Sequence, residues 1–278
     1  RPCLGSSFGW KRSTRAPCTF INFPWSCSAL ASLSSRDWPV IQSHMPNGCS
    51  VSPPLDRSMR MMRMKKATRK EIESIKSALL ERYSDAVTEL DYTNAFELVI
   101  AVALSAQCTD KRVNLITPAL FEAYPTPADL ARADIENVKR LIQSCSFFNN
   151  KAINLIAMAK RIVEVYGGEV PLDEKELVTL AGVGQKTAHV VLIEYTGANL
   201  MAVDTHVFRV SHRLGLSDDF SAIETEATLV KKFKTNLHQL HQGLVLFGRY
   251  ICTAKNPKCD TECFLREFCK STDGFKPR

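Results

Sequence analysis

Lys186 and Asp204 carry the side-chain types needed for covalent chemistry at a carbon centre. Lys186 follows the turn Leu180 to Gly184 (LAGVG) and falls on the first turn of the helix that QKTAHVV begins. A cation there opposes the positive end of the helix dipole. Partial desolvation acts in the same direction, disfavouring the ammonium form and leaving a neutral amine that can attack an electrophilic carbon and form a Schiff base. Asp204 precedes THVFRV, with Val203 ahead of it and Val207, Val210 and Leu214 on one face, and so reads as the N-cap of a helix that starts at Thr205. Beside an amine, its carboxylate can orient the nucleophile, take up a proton or stabilise positive charge developing on a sugar ring. The bland alternatives are a lysine on a solvated helix face and an aspartate that merely caps, worth about 1 kcal/mol.

Cys252, Cys259, Cys263 and Cys269 form a second group, spaced C-x6-C-x3-C-x5-C near the C-terminus. Such crowding of four of the ten cysteines favours a metal centre over a disulfide framework. Structural zinc sites draw on C-x2-4-C pairs, and here only Cys259 and Cys263 are spaced that way; iron-sulfur ligation tolerates wider intervals. The spacing leaves an iron-sulfur cluster, zinc or no metal open, with iron-sulfur ligation fitting the wider intervals better. Lys255, Lys258 and Arg266 in the same loop are candidates for phosphate contact, or form a solvated basic edge. Cys108 and Cys145, in apolar helical surroundings, read as buried thiols.

The elements that must position these groups are helical. Asn94 with Glu97 is a capping-box pattern opening a helix, Ala95 to Ala106, that is apolar almost all round and therefore buried. Ala152, Leu155, Ile156, Ala159, Val163 and Tyr166 mark one face of another, stopped by Gly167 and Gly168. Around Lys186, Asp173 and Glu176 cap a short helix through about Leu180, Ala181 to Gly184 turn, and a second helix runs from about Gln185 to Thr196: a helix-hairpin-helix over about 173–196. Gly182 and Gly184 permit positive φ, and free NH groups at the start of the second helix suit a phosphate oxygen, so the hairpin can grip DNA through its backbone. Strand-type alternation is absent, and the fold class is all-α.

Length and composition bound the rest. The chain has 278 residues, 45% of them hydrophobic, enough for one large or two modest domains, and FELVIAVAL, from Phe96 to Leu104, is far too short to span a bilayer. The net charge of +7 is misleading. Arg1, Lys11, Arg12, Arg15, Arg36, Arg57 and Arg60 face only Asp37 and Asp56 in the first 62 residues, so most of the surplus lies there and DNA binding has to rest on local sites. Residues 1–63 also hold Trp10, Trp25 and Trp38 with no sustained periodicity. They read as a disordered or non-native extension, either a transit segment or, preferred, translated upstream sequence with the natural start at Met61, Met62 or Met64.

LAGVGQKTAHVV followed by VDTHVFRV resembles the active-site region of the endonuclease III family, bifunctional DNA N-glycosylases and abasic-site lyases of the helix-hairpin-helix glycosylase superfamily. The likeness extends through ELVIAVALSAQCTDKRVN, FFNNKAINL, GGEVP and FGRYICTAKNPKC, over about residues 64–272. It implies that Lys186 is the amine nucleophile and Asp204 its catalytic carboxylate. It implies that Gln107 and Phe147 enter the base stack when a nucleotide is flipped out, although Phe147 also reads as core packing. Gly182, Gly184, Lys255 and Lys258 would contact DNA, and the four clustered cysteines would hold the family's 4Fe-4S cluster. Two departures stand out: the family spacing is C-x6-C-x2-C-x5-C, and His189 stands where Asn is usual, with no function attached.

The resemblance implies two helical lobes with DNA in the cleft between them: a six-helix lobe over 88–198, and a cluster lobe made by 64–87 with 199–278, its cysteine loop at 252–269. The expected activity is removal of oxidised pyrimidines from duplex DNA and cleavage 3′ to the abasic site by β-elimination, in a cytoplasmic, membrane-free monomer; organelle import follows only if residues 1–63 are a genuine transit segment. A glycosylase of the same fold without lyase action, and a non-catalytic helix-hairpin-helix DNA-binding module, are the alternatives.

Overall fold

In the computed structural model the structure describes residues 65–271, so the expectations for residues 1–63 lie outside the described residues. Among those described, every regular element is helical. In chain order they are α1 (Arg69–Arg82), α2 (Ala95–Ser105), α3 (Asp110–Ala123), α4 (Pro127–Ala131), α5 (Ile135–Ile142), α6 (Phe148–Tyr166), α7 (Glu174–Leu177), α8 (Gln185–Thr196), α9 (Thr205–Arg213), α10 (Ala222–Phe233) and α11 (Leu237–Tyr250), with a 3-10 turn at Arg266–Phe268. No described helix is long and apolar enough to cross a membrane.

Caps explain most helix starts. Thr68, Asn94, Thr109, Thr126, Asp134, Asp173, Asp204 and Ser221 each accept from a backbone NH of the turn they precede. At α2 the reciprocal half differs from a simple capping box: the Glu97 carboxylate bonds the backbone NH and hydroxyl of Thr93, one residue before the cap. Gly167 ends α6 in the left-handed conformation, as the sequence requires.

Among the described residues, two hydrophobic cores form. Helix α2 is the axis of the first, with Phe96, Leu98, Val99, Ile100, Ala101, Val102 and Leu104 all buried, and α3, α5, α6 and α8 pack around it or on each other. Each fully buried Leu or Ile contributes about 1.5–3 kcal/mol relative to exposure. The second core draws Ile75 and Leu79 from α1 together with Val207 and Val210 of α9, Leu229 and Phe233 of α10, and Leu240, Leu244 and Phe247 of α11. The described residues enter the second core first, build the first core, and return to the second after Leu200.

Helices α9 and α11 approach closely where α11 presents Gly248. A Cβ placed there would lie 2.9 Å from His206 Cβ and 3.0 Å from Val210 Cγ2. Overpacking against a neighbouring backbone outweighs the roughly 1 kcal/mol that alanine gains in helix propensity. Gly248→Ala should therefore lower stability by at least about 1 kcal/mol, measured as a drop in the urea midpoint at unchanged m-value; an unchanged or raised midpoint would show that α9 can yield without loss.

Candidate active site

The short helix α7 and α8 form the hairpin, and Asp173 accepts from the NH groups of Lys175 and Glu176 to start it. Gly182 lies at φ +80°, and a Cβ there would sit 3.1 Å from Asn154 Cβ, so both conformation and space favour glycine. Gly184 corrects the expectation of two positive φ angles. It is the extended N-cap of α8 at φ −93°, and a Cβ there would meet nothing within 4 Å. What a bare backbone offers at Gly184 is open approach from outside to the first NH groups of α8.

Lys186 follows one residue into α8 and is exposed, so the expected partial desolvation is not present in the free chain. Asp204 caps α9 through Oδ1 alone, which accepts from His206 NH at 2.8 Å and Val207 NH at 2.7 Å. Its Oδ2 is outside the cap. Lys186 and Asp204 line one cavity of about 620 Å³ together with Gln107, His206, His241 and Arg249. The cavity walls come from both hydrophobic cores, α8 supplying the lysine and the N-cap of α9 the aspartate.

Gln107 and Phe147 share a conformation that the sequence did not reveal. Both are exposed and both have left-handed backbones, φ 55° and 58°. For non-glycine residues such a conformation stores on the order of 1–3 kcal/mol. Phe147 is 64% exposed, which overturns the core-packing alternative for it. Lys151 of α6 holds the loop before Gln107 by donating to the carbonyls of Leu104 and Ala106, each at 2.8 Å.

Several polar groups at the joint between the cores escaped the sequence reading. His241 is fully enclosed beside Asp204 and Lys186, and burial pushes it down to about 4, so it is neutral at physiological pH. Burial pushes Glu194 of α8 up to about 7, where it accepts from Thr88 NH at 3.1 Å and from Gln242 of α11. Arg249 of α11 pairs with Asp110 of α3 at 2.7 Å and with Glu89. His189, 5% exposed, places its ring nitrogens 3.0 Å from Glu174 of α7 and 3.0 Å from Glu226 of α10. These are ion-pair contacts without well-directed hydrogen-bond geometry. Glu226 foremost, then Glu174, hold the imidazole protonated against burial, up to about 9. The sequence marked His189 only as a departure from the family's usual Asn and gave no sign of Glu174 and Glu226, which are remote from it in the chain.

The clustered cysteines line a second cavity of about 310 Å³, together with Arg213 and Arg266. Arg213 donates to Cys252 Sγ at 3.1 Å and to Thr253 O at 2.8 Å, while Arg209 donates to Cys252 O at 3.0 Å and Gly248 O at 2.7 Å. Four cysteines lining one cavity, with the Arg213 guanidinium on the sulfur of Cys252, are the kind of donor set that an anionic thiolate cluster uses. Among the described residues, no group of three or more His, Cys, Asp or Glu side chains is set as the ligands of a single metal ion. The basic edge of this loop is partly neutralised internally: Lys258 pairs with Glu262 and Arg266 with Asp260, both acids lying in the lengthened middle interval. Lys255 is exposed.

Residues 100–235 match the HhH-GPD superfamily of base excision DNA repair proteins. The chain is 45% identical over 203 residues to endonuclease III of Bacillus subtilis, covering 72% of this chain and 92% of that protein. It is 39% identical over 211 residues to endonuclease III of Escherichia coli, covering 74% and 97%. Its fold is similar to that of a trapped endonuclease III-DNA covalent intermediate, with a TM-score of 0.70 and 43% identity over 73% of this chain and 95% of that one.

The His189 contacts make stability depend on pH. A histidine whose folded pKa is raised from 6.5 to about 9 contributes stability that is fully present below 6.5 and is lost as pH rises through about 9. The difference in melting temperature between wild type and His189→Asn should be largest at or below pH 6.5 and close toward pH 9; a gap independent of pH would mean that packing, not charge, holds this ring.

Proposed function

Because the chain belongs to the endonuclease III family, DNA glycosylases and abasic-site lyases of base excision repair, we propose that Lys186 and Asp204 are its catalytic amine and carboxylate. The observation that carries this assignment is their convergence on one cavity from two separate cores.

Duplex DNA with damaged bases or abasic sites is the substrate. On docking, the hairpin offers the NH groups at the start of α8 to a phosphate oxygen. The docked DNA then covers Lys186, which is exposed in the free chain. Its Nζ attacks C1′ of the flipped nucleotide, the C1′–base bond breaks, and the pair collapses to a Schiff base with ring opening. The iminium acidifies the 2′ proton, and loss of that proton expels the 3′ phosphate by β-elimination. Asp204, its Oδ1 fixed by two backbone NH groups, has Oδ2 available to stabilise the positive charge that grows on the sugar and to accept protons from the amine. Neutral His241 fills the floor beside them without adding a charge. Gln107 and Phe147, already projecting in strained loops, occupy the gap left in the stack, and oxidised pyrimidines are the bases removed.

Cys252, Cys259, Cys263 and Cys269 would hold a 4Fe-4S cluster, whose part here is to pin the loop that Arg209 and Arg213 tie to α9. Lys255 and Lys258 would then meet phosphates at its edge. In this reading the enzyme works in the cytoplasm, on the DNA of the nucleoid.

Borohydride reduction tests the amine assignment. Wild type should become covalently linked to a duplex carrying an abasic site, and Lys186→Ala should lose at least about 10³-fold of that product, in the range typical of removing a catalytic group. Equal trapping by the variant would move the nucleophile elsewhere. Phe147→Ala should weaken binding to the same duplex about tenfold, the equivalent of roughly 1.4 kcal/mol, with little change for undamaged DNA.

A further inference from the structure

Among the described residues, Cys108 and Cys145 are the cysteines outside the loop 252–269, and neither forms a disulfide. Their sulfurs lie 3.5 Å apart, although the residues are 37 positions apart in the chain. Cys108 follows Gln107 directly in the loop between α2 and α3. Cys145 precedes Phe147 by two residues in the loop between α5 and α6. The pair therefore joins the two strained loops whose exposed side chains are read above as entering the DNA stack. A disulfide needs about 2.05 Å between sulfurs, so closure asks for a movement of about 1.5 Å.

We propose that Cys108 and Cys145 form a redox modification site, in which a peroxide closes a disulfide that draws the two insertion loops together and weakens the hold on damaged DNA. The DNA consequence rests on the reading of Gln107 and Phe147 given above; the disulfide itself does not.

Access orders the steps. Cys108 is half-exposed and lines the 620 Å³ cavity, whereas Cys145 is 3% exposed. The Cys108 thiolate attacks one peroxide oxygen; the S–O bond forms, the O–O bond breaks, and the departing hydroxide takes up the Cys108 proton as water. Cys145 sulfur then attacks the sulfenic acid. The S–S bond forms, the S–O bond breaks, and the second hydroxide leaves as water with the Cys145 proton. Two thiols lose two electrons in all and the peroxide is reduced to two waters. Burial pushes the Cys145 thiol up to about 11, so this second step is the slower one and quickens as pH rises. Closure shifts both loops, so their two side chains no longer seat together in the stack, where loss of one stacking contact lowers affinity about tenfold. Bound DNA covers the cavity and so shields Cys108.

The test exposes the full-length holoprotein to limiting hydrogen peroxide while its visible absorption reports the state of the 252–269 loop. Peptide mapping without reductant should find a Cys108–Cys145 linked peptide. A duplex with a tetrahydrofuran abasic analogue should bind at least about tenfold more weakly and recover with dithiothreitol. The same duplex, added first, should suppress the link. Cys145→Ala should bind as the reduced wild type does, before and after peroxide; Cys108→Ala serves the same purpose if filling the Cys145 site with alanine harms folding. Oxidation of Cys108 to sulfinic acid with no linked peptide overturns the site. A fully linked protein with undiminished affinity overturns the effect on DNA. If Phe147→Ala, kept reduced, binds the analogue as wild type does, the insertion reading fails while the linked peptide still stands or falls by itself.

Discussion

The amine and the carboxylate belong to different hydrophobic cores, so their separation is only as well defined as the joint between those cores. Lys186 rides on α8, which packs against α2; Asp204 caps α9, which packs against α11. A hydrophobic seam would resist separation but tolerate sliding, because burial of apolar area has no direction. The joint instead carries polar ties at fixed positions: hydrogen bonds from Gln242 to Glu194 and from Arg249 to Asp110, and the ion pair of His189 with Glu226. Each runs from the core that holds one member of the pair to the core that holds the other. Partly buried polar ties of this kind add little net stability compared with apolar packing, but sliding one core over the other would leave their groups unpaired. At a cleft that must open a duplex without losing alignment, register is the more useful property.

The same surface holds strain rather than releasing it. Gln107 and Phe147 hold left-handed backbones while exposed, and beside Gln107 it is Lys151 of α6 that fixes the end of α2 through the carbonyls of Leu104 and Ala106. If these two side chains enter the base stack as proposed, being already projected lowers the conformational entropy that insertion costs. The hairpin follows the same logic, because Gly182 sets the turn against Asn154 and leaves the NH groups of α8 uncovered.

The cysteine loop enters this arrangement through α9. Arg209 and Arg213 project from that helix onto the carbonyls and sulfur where the loop begins, so any group that rigidifies the loop also steadies the helix capped by Asp204. The lengthened interval between Cys259 and Cys263 contributes Asp260 and Glu262, which engage Arg266 and Lys258 and turn a basic rim into a self-paired one.

Local signals were legible in the sequence because their physics is local. Asp173, Asn94 and Asp204 act on backbone NH groups within three residues, Gly167 ends α6 through its own φ, and the apolar girth of α2 dictates burial whatever surrounds it. The hairpin and the cysteine spacing were readable for the same reason. Tertiary structure alone decided what depends on residues distant in the chain: that Lys186 and Asp204 share a cavity, that His189 is held between Glu174 and Glu226, and that Cys108 meets Cys145. It also decided that Phe147 faces solvent and that Gly184 needs no positive φ. A one-dimensional pattern encodes which face of a helix is apolar, but the partners and exposure of a polar side chain are set by how the helices pack, and that is fixed only when both cores close.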